Sequence, residues 1–298
     1  MSAILLLALC LGIGLAMARH ERLPPGAPQA LNFWIVNIAL PALILVEIPK
    51  LHFARELLFA AIAPWLVFLG AATVFPIVGR RRGWSRGTIG AMVLTCGLGN
   101  TAYMGLAMVE ALRGAAYVGP AVIADQFGSF AALSIGGVIV AAIYSGAPPS
   151  IGGIARRMLG FTPFLALMLA LLIWPLGGLP EVLQTVLTRI GQTLTPLALF
   201  SVGLQLKFSG IGSQWKTLLG GLGWKMAIAP AIVFAAAWAL GLHGPIPVAA
   251  ILQCAMPPMV TAGILAEQYK LDPLLANLVV GVGTILSLVT LPLAAVLL

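Results

Sequence analysis

Apolar residues fill long, nearly unbroken runs along this chain, and short stretches rich in Gly, Pro and Arg separate them. A half-buried strand would alternate and a surface helix would show one apolar stripe, whereas these runs are apolar on every face. They predict helices surrounded by lipid or by one another. Spanning about 30 Å of hydrocarbon takes roughly 20 helical residues, so the pattern divides into about ten spans. Their expected limits are 1–18, 29–48, 57–79, 88–112, 118–143, 159–177, 187–206, 216–240, 246–268 and 274–298. A transmembrane barrel is disfavoured, since its strands would alternate apolar and polar positions. The joining segments RHERLPPGAPQ, GRRRGWSRG and YSGAPPSIGGIARR read as turns at a membrane face.

Composition turns the pattern into a class. Of 298 residues, 61% are hydrophobic and 8% charged, with a mean hydropathy of +1.07. A soluble domain carries about a quarter of its residues as charge. The expectation is an all-α polytopic membrane protein. Its net charge of +8 comes from 16 Lys and Arg against 8 Asp and Glu. These basic residues sit mostly in loops, which points to lipid head groups and away from nucleic acid. No basic residue precedes the apolar core of MSAILLLALCLGIGLAMA, so this segment reads as a retained first helix. Arg19, Arg22, Arg80, Arg81, Arg82, Arg86, Arg156, Arg157, Lys207, Lys216 and Lys270 then face inward, against Lys50, Arg55, Arg113 and Arg189 outward. That bias places both termini outside the cytoplasmic (inner) membrane.

A weak internal similarity adds organisation. LPALILVEIPKLHF, 40–53, lies over TPLALFSVGLQLKF, 195–208, with Pro41 on Pro196, Leu51 on Leu206 and Phe53 on Phe208. At the same offset, 99–108 falls on CAMPPMVTAG, 254–263. Apolar segments align readily, yet two matches share one offset. The expectation is a five-helix repeat over 1–145, a cytoplasmic linker at 146–158 and a second, inverted five-helix repeat over 159–298.

Candidate chemistry sits where helices should fail. Pro257 and Pro258 remove two backbone donors from the ninth span, and Gly97, Gly99 and Gly105 loosen the fourth. Broken, crossing helices four and nine would leave backbone groups in need of protein or water partners. The N-terminal end of a half-helix suits a carboxylate. Asn100, Thr101, Tyr103, Pro257, Pro258 and Thr261 are the candidate substrate-binding residues, while the plain alternative is that Asn100 and Thr101 only join helices. Asp125, with Gln126 beside it, is the candidate for proton or sodium coupling; Lys225 either balances that carboxylate or attracts the substrate. Ser129, Asn277, Thr284 and Ser287 are candidates for lining the pathway, although hydroxyls at helix contacts are common. Glu47, Glu110 and Glu267 sit near helix ends, where side chains reach the interface. Cys10, Cys96 and Cys254 lie in apolar runs and His20, His52 and His243 are scattered, so neither a disulfide nor a metal is expected. No phosphate loop or dinucleotide fingerprint occurs, and no catalytic residue or cofactor is expected.

The ordered set NFWIVNIALPALIL (32–45), CGLGNTAYMGLAM (96–108), VIADQ (122–126), LTPLALFSVGLQL (194–206), CAMPPMVTAGILAEQY (254–269) and TILSLVTLPL (284–293) resembles the auxin efflux carrier family, and its bacterial members more closely. The resemblance implies ten helices in two inverted repeats, a scaffold part and a transport part, dimers, and movement of an elevator kind. It also implies substrates such as indole-3-acetate, malate, malonate or lactate. The family's asparagine and proline positions fall on Asn100, Pro257 and Pro258, and its acidic motif on Asp125 and Gln126. Ala107 stands where members commonly have proline, and Thr261 where an asparagine is more typical. The long hydrophilic loop of plant members is replaced by the short GAPPSIGGIARR stretch. The expected function is alternating-access transport of a small organic anion. A sodium-coupled carrier like the bile-acid symporters, a selective channel and a non-transporting scaffold or receptor are the alternatives.

Overall fold

A computed structural model describes residues 2–19, 26–52, 54–146, 152, 156, 158–205 and 214–298, and for 2–4, 7 and 205 the backbone alone. The chain is all α-helical apart from one isolated β-bridge among these residues. Its helices are α1 (Ser2–Arg19), α2 (Ala27–Lys50), α3 (Arg55–Arg81), α4 (Arg86–Gly97), α5 (101–113) and α6 (Ala115–Ser145). They continue as α7 (Thr162–Leu176), α8 (181–205, with a turn at Gln192 and Thr193), α9 (Trp215–Ala239), α10 (Pro245–Cys254), α11 (Val260–Gln268) and α12 (Pro273–Leu297).

The ten-span expectation is corrected at this point. Among the described residues only α2, α3, α6, α9 and α12 are long and apolar enough to cross a membrane. Three of these lie before residue 146 and two after residue 158, which is not a pair of five-helix inverted repeats. Hydropathy averages over a window and does not register a backbone interruption inside it. The expected span 88–112 is split between α4 and α5, 187–206 is cut by the turn at Gln192 and Thr193, and 246–268 is split between α10 and α11. At 1.5 Å per residue, a helix the length of α10 covers about half of the hydrocarbon. Most of the 146–158 linker, with Arg22, Arg157, Lys207, His20 and the matched Phe53, Leu206 and Phe208, lies outside the described residues.

Local chemistry explains where helices begin. Ser85 caps α4 by accepting from Thr88 N at 3.0 Å. Asp272, left-handed at φ 42°, caps α12 by accepting from Leu275 N at 3.3 Å. Thr88 Oγ1 donates to Asp272 Oδ2 at 2.8 Å, joining the starts of two helices far apart in sequence.

Small residues set the packing. A Cβ built on Gly14 of α1 would lie 2.3 Å from Phe200 O, and one on Gly203 of α8 would lie 2.4 Å from Leu11 O. The two backbones therefore touch, as small residues allow between helices in lipid. Gly128 of α6 meets Pro64 of α3 in the same way, with a 2.5 Å approach to its Cγ. Beside that contact α6 runs through a π-helical segment, Ala124–Phe130, and Trp65 Nε1 of α3 donates to Phe127 O at 2.9 Å. The polar stretch of α6 is thereby held against α3 in the buried core.

Candidate functional site

Two helices stop inside the protein and meet. α4 ends at Gly97, after which Leu98 is extended at φ −115°, ψ 131°. α10 ends at Cys254, and the chain passes through Met256, Pro257 and Pro258 before α11 begins. Gly99 and Pro258 form an antiparallel bridge. Asn100 N donates to Pro257 O at 2.8 Å and Met259 N donates to Leu98 O at 3.0 Å. Each break thus supplies the backbone partners that the other lacks, which a buried interruption requires.

Asn100 sits at φ −76°, ψ 65°, with Thr101 N donating to Gly99 O at 2.9 Å. This is an inverse γ-turn, the tightest way to restart the chain. The next segment, Thr101–Gly105, is π-helical, and Gly105 N donates to Asn100 O at 2.9 Å. Among the described residues no carbonyl outside α5 accepts from the N–H groups of Ala102, Tyr103 or Met104, which stand in the first turn, where helical N–H groups lack their ordinary partners. Asn100 is 4% exposed, and no hydrogen bond among the described residues engages its side-chain amide.

Polar side chains gather around the turn. Thr101 Oγ1 donates to Asp125 Oδ1 at 2.5 Å, and Gln126 Nε2 donates to Asp125 Oδ2 at 2.7 Å. The Asp125 carboxylate therefore stands at the positive end of α5, where a negative charge is favoured. Lys225, from the π-helical segment Trp224–Ile228 of α9, donates from Nζ to Cys254 O at 2.7 Å. It stands at the negative end of α10. Asp125 and Lys225 form no ion pair; each is held by a different helix end.

The other candidates divide. Ser287 Oγ reaches Thr284 O at 2.6 Å and Met104 Sδ at 3.6 Å, which brings α12 against α5. Thr284 bonds back to Val280 O of its own helix, at 2.8 Å. Pro258 packs against α12, where a Cβ on Gly283 would fall 2.5 Å from its Cδ. Ser129 is buried in the π-helical segment of α6 and Tyr103 is half-buried beside the turn. Thr261 and Asn277 are exposed, and no hydrogen bond joins either to the cluster among the described residues.

Sequence reasoning passed over Gln253. It is fully buried, and its Nε2 donates to Thr101 O at 3.2 Å and Ala121 O at 3.1 Å, fastening α10 to both α5 and α6. Its Oε1 is buried without a partner among the described residues. A Cβ on Gly105 would fall 2.0 Å from that oxygen. The signal available was an amide closing the apolar run PIPVAAIL, one turn ahead of two prolines.

Among the described residues no three His, Cys, Asp or Glu side chains gather as a metal site. The sequence profile of a family described as "Membrane transport protein" matches residues 1–147 and 156–295. An "Uncharacterized transporter" of Methanothermobacter thermautotrophicus (strain ATCC 29096 / DSM 1053 / JCM 10044 / NBRC 100330 / Delta H) is 26% identical over 275 residues, covering 91% of this chain and 89% of that protein. A "Probable auxin efflux carrier component 9" of Oryza sativa subsp. japonica is 29% identical over 133 residues, covering 43% of this chain and 31% of that protein. With nearly its whole length matched, the chain belongs to the membrane transport protein family, as a polytopic α-helical membrane transporter rather than an enzyme.

Proposed function

We propose that this transporter carries a small organic anion by alternating access, with the paired breaks of α4/α5 and α10/α11 as its substrate site. The observation that carries the reading is the bridge between Gly99 and Pro258, set in a helical protein whose surroundings are apolar. An irregular backbone at membrane depth is tolerated where it is buried in protein or lines a polar path. The unpaired N–H groups at the start of α5 and the free amide of Asn100 are donors of the kind a carboxylate accepts. Malonate, malate, lactate or an auxin-like aromatic acid fits that chemistry, and the rice relative's printed name favours the same class.

In this reading Thr101, Tyr103, Pro257 and Pro258 shape the site, while Asp125 with Gln126 is where a proton or a sodium ion couples. Thr261 and Asn277 would act only in a conformation that turns them inward. The moving part shifts the site from one face to the other in elevator fashion, within a homodimer. The basic C-terminal end of α3, Arg80–Arg82, lies on the cytoplasmic side of the inner membrane, with the N-terminus outside. Export of an anion is then assisted by about 2.3 kcal/mol per charge per 100 mV of inside-negative potential.

The test is a thermal-shift screen of the purified protein with malonate, malate, lactate and indole-3-acetate, alongside Asn100→Ala. At least one acid should raise the melting temperature of the parent and leave the variant unmoved. Absence of a shift with every acid, on folded protein, would overturn the anion assignment.

A further inference from the structure

The prolines that end α10 leave two carbonyls without their ordinary donors. In an α-helix the carbonyl of residue i accepts from the N–H of residue i+4. For Gln253 and Cys254 those residues are Pro257 and Pro258, which have no N–H. Gln253 O takes a long bond from Met256 N at 3.3 Å. Cys254 O takes the Lys225 ammonium at 2.7 Å.

Lys225 is enclosed at this position. It is 1% exposed, and the ion pairs found among the described residues, Lys50 with Glu47 and Arg55 with Glu56, do not include it. A Cβ on Gly99 would fall 3.1 Å from Nζ and 3.3 Å from Gln253 O. The missing side chain of Gly99 is what leaves room for the ammonium beside these carbonyls. A cation held on a main-chain oxygen at a helix C-terminus, with a second carbonyl close by, takes a place that a bound monovalent ion can fill. The difference is that this cation is covalently part of α9.

We propose that the Lys225 ammonium is a built-in cation: it holds the carbonyl-lined position at the α10 break where a diffusible monovalent cation would otherwise bind, so the break needs no sodium. The proposal deepens the reading of the paired breaks and rests on it for the consequence that anion carriage runs without sodium through this position. Lys225 is then a positioning residue that acts through the Cys254 carbonyl.

The test reads cation dependence of folding in the absence of any organic anion, so it can fail while the anion assignment stands, and the reverse. Melting temperatures of the parent, Lys225→Ala and Lys225→Met are compared in sodium chloride, ethylammonium chloride and choline chloride at one ionic strength. The parent sets the baseline response to each cation. Lys225→Ala opens a carbonyl-lined space, and sodium or ethylammonium should raise its melting temperature over choline by about 3 °C or more. Lys225→Met fills that space without charge and should not respond. The proposal is overturned if Lys225→Ala responds to the cation no more than the parent does, or if Lys225→Met responds as strongly as Lys225→Ala. Should Lys225→Ala aggregate in choline, recovery of monodisperse protein with the small cations supports the proposal, and aggregation in all three salts overturns it.

Discussion

Asn100 donates its backbone N–H to the carbonyl of Pro257 at 2.8 Å, so the two interruptions of this fold are bonded to each other. Neither can be repaired alone without disturbing its partner. Pro258→Ala returns an N–H in line with the Cys254 carbonyl, competes with Lys225 for it and extends α10. Uptake of the acid identified by the thermal screen, measured in proteoliposomes, should fall at least about tenfold, equivalent to about 1.4 kcal/mol on the barrier. The variant should remain folded and monodisperse. Unchanged uptake would remove the break from the mechanism.

Gly105 and Gln253 should be energetically coupled. Gly105→Ala drives a methyl group into the space of the Gln253 amide, which then loses its bonds to Thr101 and Ala121. A cost of about 2 kcal/mol is expected from overpacking and the stranded carbonyls. Gln253→Ala removes the obstruction, so the double variant should be less destabilised than the sum of the singles by about 1 kcal/mol. Chemical denaturation of all three in detergent measures the cycle, and strict additivity would show that the contact does not matter.

Contact between α1 and α8 depends on the absence of side chains at Gly14 and Gly203. Either glycine replaced by leucine must push the helices apart, because the obstructing atoms are backbone carbonyls that have no rotamer to escape into. The melting temperature should fall by about 5 °C or more. The same substitution at Gly12, whose Cβ would meet nothing within 4 Å, should have little effect. Equal losses at positions 12 and 14 would argue against backbone contact.

Asp125→Asn tests coupling without removing the side chain. An asparagine can still accept from Thr101 through its oxygen, but its amide nitrogen cannot accept from Gln126. If Asp125 is the proton carrier, a pH gradient that accelerates uptake by the parent should have no such effect on the variant. The measurement is initial rate with and without an imposed gradient in vesicles of equal membrane potential. A variant that keeps its full response to the gradient would move coupling elsewhere.

Several features were legible because they follow from single-residue chemistry. Pro257 and Pro258 must interrupt a helix, and the polar, glycine-rich stretch around Asn100 marks the other break. Asp125 and Lys225 are costly in an apolar run and were expected to have partners, although the structure gives each its own rather than joining them. Thr261 is exposed in this structure; a break resets helical phase, so no periodicity read upstream fixes which face follows it. The ten-span count failed for a related reason: apolarity persists through π-helical turns and interruptions, while helical continuity does not. The amide of Gln253 is visible in the apolar run, but its role is not, because the space it fills is provided by Gly105, distant in sequence.

The inverse γ-turn at Asn100 has a corollary. Its main chain is anchored on both sides, to Pro257 and to Gly105, while its side chain is uncommitted. The amide can change rotamer without unzipping any main-chain contact. In the proposed carrier, cargo could then be captured or released at this residue with the joint between the two breaks intact.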